Sequence, residues 1–74
     1  MSTSGVVRKE GLVTEALPGA TFRVRMDDDA SEALVLCHLS GKMRLHRIRI
    51  IEGDRVVVEL PETGGDRGRI VFRR

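Results

Sequence analysis

Short runs in which apolar and charged side chains alternate, each closed by a turn signal, recur along this chain and confine it to β structure. Phe22, Val24 and Met26 alternate with Arg23 and Arg25. Val56, Val58 and Leu60 oppose Arg55, Val57 and Glu59. Ile70 and Phe72 alternate with Arg69, Val71 and Arg73. A period of two sends one set to a core and the other to solvent. Both phenylalanines therefore fall on faces expected to be buried.

The remaining segments complete a strand-rich order. Residues 1–5 are small and polar and read as a flexible tail, leaving 6–74 as a single domain. Val6 to Leu17 fits a strand that Gly11 bends midway, and Pro18-Gly19 is a turn. The acidic run Asp27 to Glu32 reads as a solvated loop, because its acids are contiguous rather than spaced at alternate positions as in a calcium loop. Ala33 to Leu39 is apolar on both faces until His38, which predicts a central or strongly curved strand. Ser40 is positioned to cap one helical turn over Lys42 to His46, with Met43 as its anchor. Ile48 and Ile50 then lead to a turn at Glu52-Gly53-Asp54. Arg55 to Leu60 is the fourth strand, Pro61 to Arg67 a loop, and Arg69 to Arg73 the last strand.

Five strands with one helical turn between the third and fourth predict an all-β, five-stranded OB-fold barrel. An SH3-like barrel is the alternative. Closure would remove the exposed edges that invite aggregation.

A chain of 74 residues buries only about 60% of its unfolded surface, so a shallow surface site is expected rather than a deep cavity. Thirteen Lys and Arg against eleven Asp and Glu give a net charge of only +2, yet the signs are separated. Acids gather in Asp27-Asp28-Asp29 and Glu32. Bases gather at Lys42, Arg44, Arg47 and Arg49, with no acid between Ser40 and Ile50, and again at Arg67, Arg69, Arg73 and Arg74. A polyanion would meet the basic side first.

The usual catalytic constellations are missing. Cys37 and His38 are strand neighbours and point to opposite faces, so they form no nucleophile–base pair. With His46 they give no paired metal spacing. Gly41-Lys42 lacks the earlier glycine of a phosphate loop, and Met43 stands where Ser or Thr is needed. No enzyme activity, metal, cofactor or small-molecule substrate is expected. A lone cysteine fits a reducing compartment. The N-terminus shows no basic region followed by an apolar core, and no apolar run approaches the roughly 20 residues of a membrane span. The expectation is a cytoplasmic monomer.

Guanidinium groups carry what chemistry remains. Each offers five donors in a planar fork that matches phosphate. With aromatics scarce, structured RNA read by phosphate contact is favoured over single strands held by stacking.

Several ordered motifs resemble bacterial translation initiation factor one. They are Gly11-Leu12-Val13-Thr14-Glu15-Ala16-Leu17-Pro18, Phe22-Arg23-Val24, His38-Leu39-Ser40-Gly41-Lys42-Met43-Arg44 and Ile48-Arg49-Ile50. Gly53-Asp54-Arg55-Val56, Glu59-Leu60 and Gly68-Arg69-Ile70-Val71-Phe72-Arg73 complete the set. The resemblance implies an OB-fold protein that binds the small ribosomal subunit at the decoding (A) site. There it would block premature aminoacyl-tRNA entry, contact ribosomal RNA and a neighbouring ribosomal protein, and assist the other two initiation factors. By position, the family's basic loop falls on Lys42, Met43 and Arg44, its following strand on Arg49, and its C-terminal basic strand on Arg67, Arg69 and Arg73. Arg23 is a lesser candidate. Arg47 replaces the family's aromatic before Ile-Arg-Ile, and Glu62-Thr63-Gly64-Gly65 replaces its Tyr-Asp-Leu. A general RNA chaperone and a protein-interaction barrel are the competing readings.

Overall fold

The computed structural model describes residues 5–27, 34–63 and 65–74. The tail up to Ser4, the acidic loop from Asp28 onward, Ala33 and Gly64 lie outside the described residues.

One long strand organises the sheet. β1 (Val6–Leu17) pairs antiparallel with β2 (Thr21–Met26) along its C-terminal half and with β4 (Arg55–Pro61) along its N-terminal half. The two ladders overlap at Gly11 and Leu12, which face partners on both sides. A Cβ at Gly11 would lie 2.6 Å from Val24 Cγ1 and 2.8 Å from the Arg25 carbonyl oxygen. The strand can cross between its two partners only where a side chain is absent. The sequence placed a bend or bulge at Gly11. The ladder irregularity itself lies between Val13 and Glu15.

β3 (Leu34–Leu39) pairs with β2 and runs parallel to β5 (Arg67–Arg73), which pairs with β4. The order β1-β2-β3-β5-β4 closes on itself. A parallel β3–β5 pair, with helix α1 (Gly41–Leu45) between β3 and β4, is the OB-fold connection and answers the SH3-like alternative. In the closed barrel β3 is flanked on both sides, as every strand is, and Val35, Cys37 and Leu39 face inward with Val13, Val24, Val56, Val58 and Ile70. Such burial is the main source of stability.

Three boundaries differ from the sequence reading. Strand β4 extends through Pro61, which closes the ladder opposite Val6 and needs no donor there. β5 starts at Arg67 because its parallel register with Leu36 begins there. Residues 48–50 form no strand, so Arg49 does not lie on one. Their alternation is real but serves an irregular crossover: Ile50 is buried, Ile48 half-buried and Arg49 exposed.

Phe72 corrects a larger expectation. Val57 pairs with Phe72 and Val58 with Ile70, which leaves Val71 as an extra, unpaired residue in β5. A bulge of this kind inverts the alternation beyond it. Ile70 points into the core, while Phe72 lies outside with 53% of its surface exposed.

Candidate nucleic-acid interface

The basic segment is a capped, single-turn helix with a well-formed exit. Ser40 Oγ accepts from the Met43 amide at 3.2 Å. At the other end the Arg47 amide donates to the Arg44 carbonyl at 3.0 Å, and the Ile48 amide to the Met43 carbonyl at 3.1 Å. This nested pair is a Schellman motif, and Arg47, at φ 53°, fills the left-handed position usually given to glycine. Met43 and Ile48 supply the apolar contact that accompanies such an exit.

That geometry settles where the segment's side chains go. Lys42, Arg44, Arg47 and Arg49 are exposed. Met43 is only 3% exposed and belongs to the core cluster. It anchors the helix, as its apolar place in the turn predicts, because a single turn holds only when its apolar face packs. Leu45, 77% exposed, stands beside the cations.

Charge compensation divides the cations into two groups. Arg23 pairs with Glu15 at 2.6 Å, Arg74 with Glu10 at 2.6 Å, and Arg55 with Asp27. Arg69 and Arg8 share Glu59, at 2.6 and 3.1 Å. Among the described residues, no acid pairs with Lys42, Arg44, Arg47, Arg49 or Arg67. Arg73 donates from Nη1 to the Arg49 carbonyl at 2.8 Å. Apart from Arg25 on β2, which also has no acidic partner among the described residues, uncompensated charge is thus concentrated on the helix, the crossover and the start of β5.

These residues border two depressions. An open groove of about 630 Å³ is lined by Arg8, Ser40, Gly41, Lys42, Val57, Glu59, Arg69, Val71 and Phe72. A smaller cleft of about 320 Å³ is lined by Val6, His38, Glu59, Leu60, Pro61, Arg67, Gly68 and Arg69. Glu59 and Arg69 line both and form the wall between them. Gly68 lets β5 pack closely on β4 beside the cleft: a Cβ there would lie 2.6 Å from Val58 Cγ1 and 2.9 Å from Leu60 Cδ2.

Register links the outer rows. Thr21 faces His38, His38 faces Arg69, Arg69 faces Glu59, and Glu59 faces Arg8. In the next row Arg23 faces Leu36 and Leu36 faces Arg67, so Arg23 stands two strands from Arg67 on the same outer surface. The structure therefore brings Lys42 to Arg69, Arg67 to Arg69, and Arg73 to Arg49. Arg23 remains at the margin, neutralised by Glu15.

Arg8, Glu59 and Phe72 belong to this surface and were missed in the sequence. Arg8 and Glu59 meet across 51 positions of sequence, for which no local signal exists. Phe72 was hidden by the bulge. Among the described residues, no group of His, Cys, Asp and Glu is arranged to hold a metal ion. Burial pushes the Cys37 thiol up to about 12, against a weak opposing bond from the Gly68 backbone, so it is no nucleophile.

A closed five-stranded OB barrel with an uncompensated cationic helix and crossover beside an open groove defines a nucleic-acid-binding module. Residues 4–74 match the family model for translation initiation factor 1A / IF-1. The chain belongs to that family and is a translation initiation factor. The solution structure of translation initiation factor one from the Wolbachia endosymbiont strain TRS of Brugia malayi is 44% identical, with a TM-score of 0.74. That match covers 99% of this chain and 82% of the other. The crystal structure of YjeQ from Thermotoga maritima is 29% identical, with a TM-score of 0.71 over 92% of this chain but only 23% of its own. YloQ, a circularly permuted GTPase, shares the fold at 20% identity and a TM-score of 0.75 over 25% of its length.

Proposed function

We propose that this initiation factor docks on the small ribosomal subunit at the decoding (A) site through ribosomal RNA, excluding aminoacyl-tRNA until initiation is complete. Lys42, Arg44, Arg47 and Arg49 meet phosphates from the helix and crossover. Arg67 and Arg69 meet them from β5, and Arg23 lies at the margin. Arg73 holds the crossover, and Met43 holds the helix from below. A neighbouring ribosomal protein and the other two initiation factors complete the assembly. No step of this role calls for catalysis.

The observation that carries this reading is the row of exposed cations at 42–49 without an acidic partner among the described residues. Fixed, unpaired charge on a folded scaffold is what phosphate neutralisation requires. Arg44→Ala and Arg69→Ala should each weaken subunit binding while leaving the fold intact. Unchanged affinity in both would defeat the reading. Chemical footprinting of small subunits should show changes confined to the decoding region.

Exposed Phe72, beside Lys42, Arg69 and Arg8 in the groove, favours one competing reading, a single-strand RNA binder that stacks a base on the ring. Equal affinity for an unstructured oligonucleotide and for the subunit at matched salt would support it instead.

A further inference from the structure

Glu59 is an acid set into the floor of an otherwise cationic surface. Its cross-strand neighbours are Arg69 on β5 and Arg8 on β1. Oε1 accepts from Arg69 Nη2 at 2.6 Å and Oε2 from Arg8 Nε at 3.1 Å, so each carboxylate oxygen is held by a different guanidinium. The Glu59 side chain is 13% exposed, while those of Arg8 and Arg69 are 69% and 52% exposed. The carboxylate thus lies beneath, and the forks spread above it with donors to spare. Hydrogen bonding from Arg69, opposed by burial and helped by Arg8, holds the Glu59 carboxyl below its usual range.

We propose that Glu59 is a positioning residue that makes this surface selective for folded RNA, by clamping Arg8 and Arg69 at a set separation. The inference rests on the RNA-docking role given above and deepens it. A free arginine loses rotamer freedom when it meets phosphate, whereas a clamped one has already lost it. Folded RNA, with its phosphates at fixed positions, gains from that order. A flexible strand adapts to any spacing, so for it the carboxylate is only a repulsive charge. Glu59 therefore favours the specific partner and disfavours the general one.

The test measures binding of the intact chain to isolated small ribosomal subunits and to a single-stranded uridine oligonucleotide across a salt series. Wild type, Glu59→Gln and Glu59→Asp are compared, with melting curves for each. Glu59→Gln is expected to bind the oligonucleotide about fivefold tighter at low salt, with a log–log salt slope steeper by about 0.7. Its subunit affinity should fall about tenfold as the two arginines lose their order. Glu59→Asp keeps the charge but is too short to span both guanidiniums. It should lose subunit affinity without the gain on the oligonucleotide. If Glu59→Gln tightens both partners equally, Glu59 is merely a charge and the proposal fails. It fails also if Glu59→Asp matches wild type on both. Should Glu59→Gln not fold, Glu59→Asp decides alone. A wild-type chain with no salt-dependent binding to either partner would overturn the RNA-docking role itself, before any variant is compared.

Discussion

Arg73 on the last strand donates from Nη1 to the main-chain carbonyl of Arg49 at 2.8 Å, tying β5 to the crossover that carries the basic segment. Residues 48–50 have no ladder of their own. They are held by buried Ile50, by half-buried Ile48 at the helix exit, and by this side-chain bond. The bulge at Val71 makes it possible, because Arg73 now pairs with Val56 rather than following the earlier alternation. An arginine that reads in sequence as one more phosphate contact is structurally a brace.

Arg73→Ala should therefore destabilise the fold by about 1 kcal/mol, the worth of one exposed charge-assisted bond. Amide exchange should quicken at Arg49 and Ile50 while the β1–β2 ladder stays protected. Exchange unchanged in the crossover would show that the bond does not restrain it.

Arg47 occupies a left-handed backbone position at φ 53° in a side chain with a Cβ. Such a residue stores about 1–2 kcal/mol that glycine would not. Arg47→Gly is expected to raise stability in urea by about 1 kcal/mol, some of the gain being offset by entropy in the unfolded chain. The same variant should weaken subunit binding and flatten the salt dependence by up to about one phosphate contact. Stability and binding moving in opposite directions would mark Arg47 as strained for use.

Met43 is buried in the core beneath the capped helix. Met43→Ala should cost about 2–4 kcal/mol by leaving a cavity. Subunit affinity should fall with it, since Lys42 and Arg44 lose their base. Met43→Leu should restore both, because a residue of similar volume packs there. A direct RNA contact through Met43 would instead leave stability unmoved.

The Cys37 thiol, pushed up to about 12 by burial, stays neutral in the folded chain across the physiological range. Once unfolded, it ionises near its ordinary value of about 8.5. The stability this burial confers is full below that value and declines as pH rises toward about 12. Cys37→Ala should flatten that alkaline decline. Iodoacetamide at pH 8 should label wild type only in step with unfolding; rapid labelling of the native chain would contradict the burial.

Much of the barrel was legible from particular residues. The Phe22–Met26 alternation, the Val56 and Val58 pair, and Ser40 before a single helical turn each named a local structure that formed. Local legibility failed at Val71, because a bulge adds one residue without any compositional sign and turns Phe72 from core to surface. Met43, by contrast, was legible as the anchor of its turn, since a one-turn helix holds only when an apolar side chain packs beneath it.

Sequence alone determined the strands, the capped turn and the acid-free basic segment, since propensity, alternation and capping act within a few residues. Only the closed barrel decided which cations are neutralised and which are left bare. Arg8, Glu59 and Arg69 meet across three strands, and Arg73 reaches Arg49, through registers set by long-range pairing. Ion pairing depends on distance in space, which a linear order of residues does not contain.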